Sequence, residues 1–120
     1  MMNQVVLLGR VKGITQAPEY GTEVSVITIV TPRSYKNEDG VYEEDIFDLI
    51  VRSKSMQENC SSYLKEKDLI GIRGRLEMYK YTKEENGETK KMRRTIIVPD
   101  KITFLSSSTN SSESVDADEE

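Results

Sequence analysis

Through most of the chain apolar and polar residues alternate at period two, the spacing of strands that bury one face. Residues 4–11, QVVLLGRV, are nearly continuously apolar and predict a first strand packed on both faces or curling through a core, with Gly9 permitting a bend. After the loop GITQAPEYGT, whose Pro18 and Gly21 are turn formers, residues 23–31 (EVSVITIVT) are rich in β-branched side chains and predict a second strand. The dipeptide Asp39-Gly40 predicts an antiparallel hairpin with a long tip, leading into a third strand over roughly residues 42–52. The period then changes. Ser55 and Glu58 have the capping-box spacing, and Met56, Cys60, Tyr63 and Leu64 fall at i, i+4, i+7 and i+8, which predicts a helix with Cys60 in the core. A fourth strand is expected from about 69 to 82, a tight turn at Asn86-Gly87, a fifth strand in KKMRRTIIV and a short final β-segment in ITFL.

Strands one to three, a helix and two further strands is the element order of the OB-fold. It is an all-β barrel of five antiparallel strands with one short helix between the third and fourth, and its face and loops bind oligonucleotides or oligosaccharides. With 120 residues the chain has the length of one domain. Residues 1–105 are expected to form it, and the Ser-rich stretch 106–120 carries too little apolar surface to order itself and is expected to be disordered.

Charge separates the same two parts. All 17 Lys and Arg lie in residues 1–105 against 16 of the 21 acids, a balance of +1, whereas residues 106–120 hold five acids and no base. The net charge of −4 therefore belongs to the tail and does not argue against a nucleic-acid partner. With a single cysteine and no histidine, neither a disulfide within the chain nor a usual zinc ligand set is expected, and no cofactor is called for. The start MMNQVVLLGR has no basic segment ahead of its short apolar run, and no apolar run is long enough to span a bilayer, so a cytoplasmic protein is expected.

Candidate chemistry lies on the strands. Residues an even number apart on a strand share a face, so IRGRLEMYKYT sets Arg73, Arg75, Tyr79 and Tyr81 together with Ile70, Ile72, Leu76 and Met78 opposite, provided no bulge at Gly74 shifts the register. Cations beside aromatic faces are what a sequence-tolerant single-strand binder needs, because phosphates attract the cations and every base offers a π-face. The plainer alternative is that the tyrosines cover cross-strand neighbours and the arginines are a solvated face. Two further clusters favour binding. One hairpin tip offers Arg33, Tyr35 and Lys36, and the far hairpin offers Lys80, Lys83, Lys90, Lys91, Arg93 and Arg94, partly offset by Glu84, Glu85 and Glu88. Catalysis is disfavoured. Asp45 and Asp48 point to opposite faces of their strand and cannot readily clamp one ion, there is no histidine as general base, and Cys60 is placed to pack.

Over residues 3–105 the chain resembles the bacterial and phage single-stranded DNA-binding proteins. The resemblance is carried by NQVVLLGRV, SYKNEDGVYEEDIFDLIV and YLKEKDLIGIRGRL in that order, followed by Tyr81-Thr82 and Asn86-Gly87. It implies an OB-fold that forms a homo-oligomer, usually a tetramer, and wraps single-stranded DNA in replication, recombination or repair. It also implies that Tyr35 and Tyr81 stand where the family stacks bases on tryptophan, and that Arg52 stands where a phenylalanine often stacks. Ile46 replaces a common aromatic, and Phe47 beside it faces the other way. The tail lacks the Pro-Phe tip through which the family recruits partner proteins. Two alternatives stand beside a general single-strand binder: a primosome-type OB dimer joining DNA to a helicase loader, and an OB module that binds only proteins.

Overall fold

The computed structural model describes residues 1–21 and 23–106. The expected tail therefore lies outside the described residues from 107 onward. The described chain runs β1 (Val5–Gln16), a 3-10 turn (Pro18–Tyr20), β2 (Ser25–Lys36), β3 (Tyr42–Val51), α1 (Lys54–Tyr63), β4 (Leu69–Glu85) and β5 (Glu88–Ser106). The strands close into a barrel in the order β1-β2-β3-β5-β4. This is the OB-fold. All its seams are antiparallel except the closing one, where β3 and β5 meet in parallel at Leu49 and Ile97.

The strands outrun the lengths that alternation alone marks out. β1 continues to Gln16 because it serves two partners, β4 along residues 5–10 and β2 along residues 10–16, with a register shift between Val11 and Gly13. The bend thus falls beyond Gly9. A Cβ on Gly9 would lie 2.8 Å from both the Thr31 hydroxyl and the Val30 carbonyl, so glycine is needed there for close approach. The expected fifth strand and final segment are one strand, joined across a bulge in which Asp100 is the extra residue between Pro99, opposite Gly74, and Lys101, opposite Arg73. A side chain at Gly74 would meet the Val98 carbonyl oxygen at 2.3 Å.

Two apolar clusters hold the barrel. Inside, Val11, Ile27, Ile29, Leu49, Val51, Ile70 and Ile72 pack with Cys60, which α1 inserts from one end. Fully burying an aliphatic side chain of this size contributes about 1.5–3 kcal/mol. Outside, the even-numbered Val24, Val26 and Ile50 pack with Ala17, Ile96 and Val98, with Tyr20 and Tyr79 against them. Strands β2, β3 and β5 are therefore apolar on both faces along part of their length.

Three expectations about packing are corrected. The N-cap of α1 is Ser53 rather than Ser55, its hydroxyl accepting from the Met56 amide at 3.4 Å. Tyr63, the last helical residue, is 71% exposed, and Leu64 beyond it packs on the core instead. Leu76 and Met78 have the alternation of core residues but are 43% and 50% exposed. They lie where β4 and β5 leave the barrel as a two-stranded arm, so no layer covers them.

Candidate nucleic-acid interface

The arm is built from its turn. Asn86 and Gly87 both have positive φ, 53° and 78°, as a tight two-residue hairpin turn requires. Counting outward from it, the ladder pairs Lys83 with Lys90, Thr82 with Lys91, Tyr81 with Met92, Lys80 with Arg93 and Tyr79 with Arg94. Directly opposed residues share a face. One face of β4 and β5 therefore carries Arg75, Glu77, Tyr79, Tyr81 and Lys83 with Arg94 and Lys90, and the other carries Lys80, Lys91 and Arg93. The cations expected in one site are split between two faces.

The first face holds an aromatic cluster. Tyr79 and Tyr81 are stacked with ring centroids 5.8 Å apart and planes 20° from parallel. Tyr20, on the 3-10 turn, meets Tyr79 edge-on at 4.8 Å. The Arg94 guanidinium lies 5.0 Å from the Tyr20 ring centre and 5.5 Å from that of Tyr81. The Tyr79 hydroxyl donates to the Glu19 carbonyl. Tyr79 is thus anchored on both sides and pressed on the outer apolar cluster, while Tyr81 lies farther out along the arm. Burial raises the Tyr20 phenol above its usual pKa, opposed by Arg94 and reinforced by Glu19, Asp48 and Tyr79. A hollow of about 480 Å³ beside this cluster is lined by Lys80, Tyr81, Thr82, Lys91, Met92 and Arg93.

Sequence reasoning did not assign Tyr20 to the site and placed Arg94 in the hairpin without a contact. The signal for Arg94 was available, since a two-residue turn at Asn86-Gly87 puts it opposite Tyr79. Tyr20 sits in a non-periodic loop and had none.

Several expected cations are occupied. Arg33 donates to Asp45 at 3.0–3.3 Å and to Glu43 at 3.5 Å, and these bonds raise its pKa. Arg52 reaches Glu77 at 2.8 Å, and Arg75 reaches both Glu77, at 2.6 Å, and Asp100. Arg33, Arg52 and Arg75 are therefore not the free cations the sequence implied. Burial works to raise the Glu77 pKa, but the hydrogen bonds from Arg52 and Arg75 outweigh it and hold the carboxyl below the usual range.

Among the described residues, Arg73, Lys80, Lys83, Lys91 and Arg93 are exposed and form no ion pair. Lys36 sits 5.5 Å over the Tyr42 ring. Tyr35 is 62% exposed, with no hydrogen bond or ring contact among the described residues, and nothing brings it against Tyr79 or Tyr81. Ile46 is exposed and Phe47 packs inward on the core, as strand alternation required. A larger hollow, about 870 Å³, is elsewhere, lined mainly by apolar residues of β1 with Ile46 and Leu69.

Comparison with known proteins agrees with this architecture. The Single-strand binding protein family matches residues 2–105. Single-stranded DNA-binding protein 3 of Listeria innocua is 35% identical over 92% of this chain and 68% of its own length. Single-stranded DNA-binding protein 1 of Staphylococcus aureus strain COL is 34% identical over 88% of this chain. The chain spans 62% of the length of that staphylococcal relative. Among solved structures, a Plasmodium falciparum SSB complex with ssDNA superposes with a TM-score of 0.63 at 19% identity, covering 88% of this chain and 96% of that one. A small single-stranded DNA binding protein from Mycoplasma pneumoniae superposes with a TM-score of 0.56 at 21% identity, covering 85% of this chain and 92% of that one. At these identities the structural likeness is one of fold, whereas the sequence match reaches further: this chain belongs to the single-strand binding protein family.

Proposed function

We propose that this chain binds single-stranded DNA with little sequence preference and without catalysis, stacking bases on tyrosine rings while surrounding cations hold the backbone. The observation that carries the proposal is the outer face of β4 and β5, where Tyr79, Tyr81, Tyr20 and Arg94 cluster, with exposed Lys83 farther along the same face and Lys80, Lys91 and Arg93 on the reverse of the arm. A base stacked on such a ring contributes about 1–3 kcal/mol, and any base can do so. Tyr81 is the stacking platform of this cluster, Tyr79 and Tyr20 its support, and Tyr35 a second, separate platform. Lys80, Lys83, Lys91, Arg93 and Arg73 attract phosphates, Lys36 does so beside Tyr42, and Arg33 braces its hairpin through Asp45. The names of the relatives, single-stranded DNA-binding proteins, support the same function.

Binding resides in residues 1–105, and the acidic stretch 106–120 competes with DNA for the cations at low salt. In this proposal the protein protects exposed strands during replication, recombination or repair in a bacterial cytoplasm or a phage-infected host, and it acts as a homo-oligomer, in the first instance a tetramer. Exposed Val6, Leu8, Ile46 and Leu105 give the self-association an apolar surface. Titration with oligothymidine while following tyrosine fluorescence tests the proposal. Quenching that saturates with oligothymidine and is far weaker with duplex DNA is expected; no quenching, or a preference for duplex, refutes it.

A further inference from the structure

The same face holds two arginines that converge on one carboxylate. Arg52, just beyond β3, donates to one Glu77 oxygen at 2.8 Å, and Arg75, two positions along β4, donates to the other through Nε at 2.8 Å. The remaining terminal nitrogen of Arg75 is taken by Asp100, the extra residue of the β5 bulge. Guanidinium forks bind phosphate with the donors they offer a carboxylate. The position also suits a nucleic-acid backbone, because Glu77 lies two strand positions from Tyr79, about 6.8 Å along the same face. We propose that Arg52 and Arg75 form a phosphate clamp for the DNA backbone and that Glu77 occupies it as a built-in competitor, lowering affinity below what the cations alone would give. This rests on the single-strand-binding function proposed above.

The pairs are open to exchange. Side-chain exposure of 44% for Arg52, 41% for Arg75 and 29% for Glu77 leaves the carboxylate able to swing into water as a phosphate enters. An ion pair exposed to this degree is held by a factor of about five at most. Glu77 therefore delays and weakens capture without preventing it, and release of the strand is assisted when Glu77 returns.

The test compares wild type, Glu77→Gln, Arg52→Gln/Arg75→Gln and the triple variant by anisotropy of a labelled oligothymidine at two salt concentrations, with melting curves to report the fold. Glu77→Gln is expected to bind about five- to tenfold tighter at low salt, as two pairs of this strength are released. Its log–log salt slope should steepen by about 0.7–1.4, for one or two added phosphate contacts. In the arginine-free background the same change should gain at most about twofold, through general charge alone. Glu77→Ser serves as a second variant should the glutamine form melt early. Wild-type binding with no gain in Glu77→Gln, or an equal gain without the arginines, overturns the clamp alone. Failure of both wild type and Glu77→Gln to bind overturns single-strand binding and the clamp with it.

Discussion

Tyr81→Ala separates a stacking platform from a packing residue. Tyr81 has the Tyr79 ring at 5.8 Å, the Arg94 guanidinium at 5.5 Å and Met92 opposite it on β5, and it belongs to neither apolar cluster. Its removal forfeits a loose ring contact and an exposed cation–π contact, together about 1 kcal/mol of stability. Loss of a stacked base costs binding about 1–3 kcal/mol, a five- to 150-fold weaker affinity. Tyr79→Ala provides the contrast, because it strips the Tyr20 edge contact, the bond to the Glu19 carbonyl and cover from the outer cluster, so it should lower the melting temperature as well as the affinity. Anisotropy with labelled oligothymidine, paired with thermal melts, reads both quantities. Tyr81→Phe should bind close to wild type, since the ring rather than the hydroxyl carries the contact. Unchanged affinity in Tyr81→Ala, or a loss in Tyr81→Phe as large as in Tyr81→Ala, refutes the stacking role.

Affinity for oligothymidine should fall with salt at a log–log slope of about −3 if Lys80, Lys83, Lys91 and Arg93 each neutralise one phosphate, and a slope near zero contradicts their role. Asp45 gives a pH dependence to stability. The hydrogen bond from Arg33 lowers its pKa from the ordinary 3.8, so its contribution is present above that value and is lost as pH falls through the depressed native pKa. Wild type should melt above Asp45→Asn at neutral pH, and the gap should close below pH 3.8; a gap that widens on acidification contradicts the pairing. Gly74→Ala drives a methyl to 2.3 Å from the Val98 carbonyl oxygen, which only a backbone shift relieves, and it should cost at least about 2 kcal/mol in denaturant unfolding; a neutral result contradicts the bulge geometry. Leu8→Glu places a charge in the exposed apolar strip of β1; if the chain self-associates through that strip as proposed, light scattering should find wild type larger than Leu8→Glu with the fold intact in both, and equal sizes would contradict that interface.

The barrel was legible because its signals are local. Ile27 and Ile29, Leu49 and Val51, and Ile70 and Ile72 fall two apart and point into one core, and Asp39-Gly40 and Asn86-Gly87 mark the hairpins. What periodicity cannot see is where a strand's partners stop. Leu76 and Met78 continue the alternation of Ile70 and Ile72 but lie past the reach of β1, so the same pattern means core at one end of β4 and surface at the other. The site was legible as composition and not as arrangement. Tyr79 and Tyr81 share one face as alternation predicts, while the hairpin cations, which the sequence offers as one cluster without a face, divide between that face and the reverse one bearing Lys80, Lys91 and Arg93. The pairs of Arg33 with Glu43 and Asp45, of Arg52 with Glu77 and of Arg75 with Asp100 join residues 10 to 25 apart in sequence, and no local pattern reports them; only Arg75 with Glu77, two apart on one strand face, was open to a local reading. Tyr20 reached the site only through the turn that folds over the outer cluster.

The claim that the outer face of β4 and β5 carries the strand is tested most directly by ultraviolet crosslinking to oligothymidine followed by mass-spectrometric mapping. Crosslinks at Tyr81, reduced by rising salt, are the expected result, with any at Tyr35 reporting the separate platform on the β2–β3 hairpin. Crosslinks confined to the β1 face around Val6, Leu8 and Ile46, or none under conditions where the protein is folded, would contradict the account.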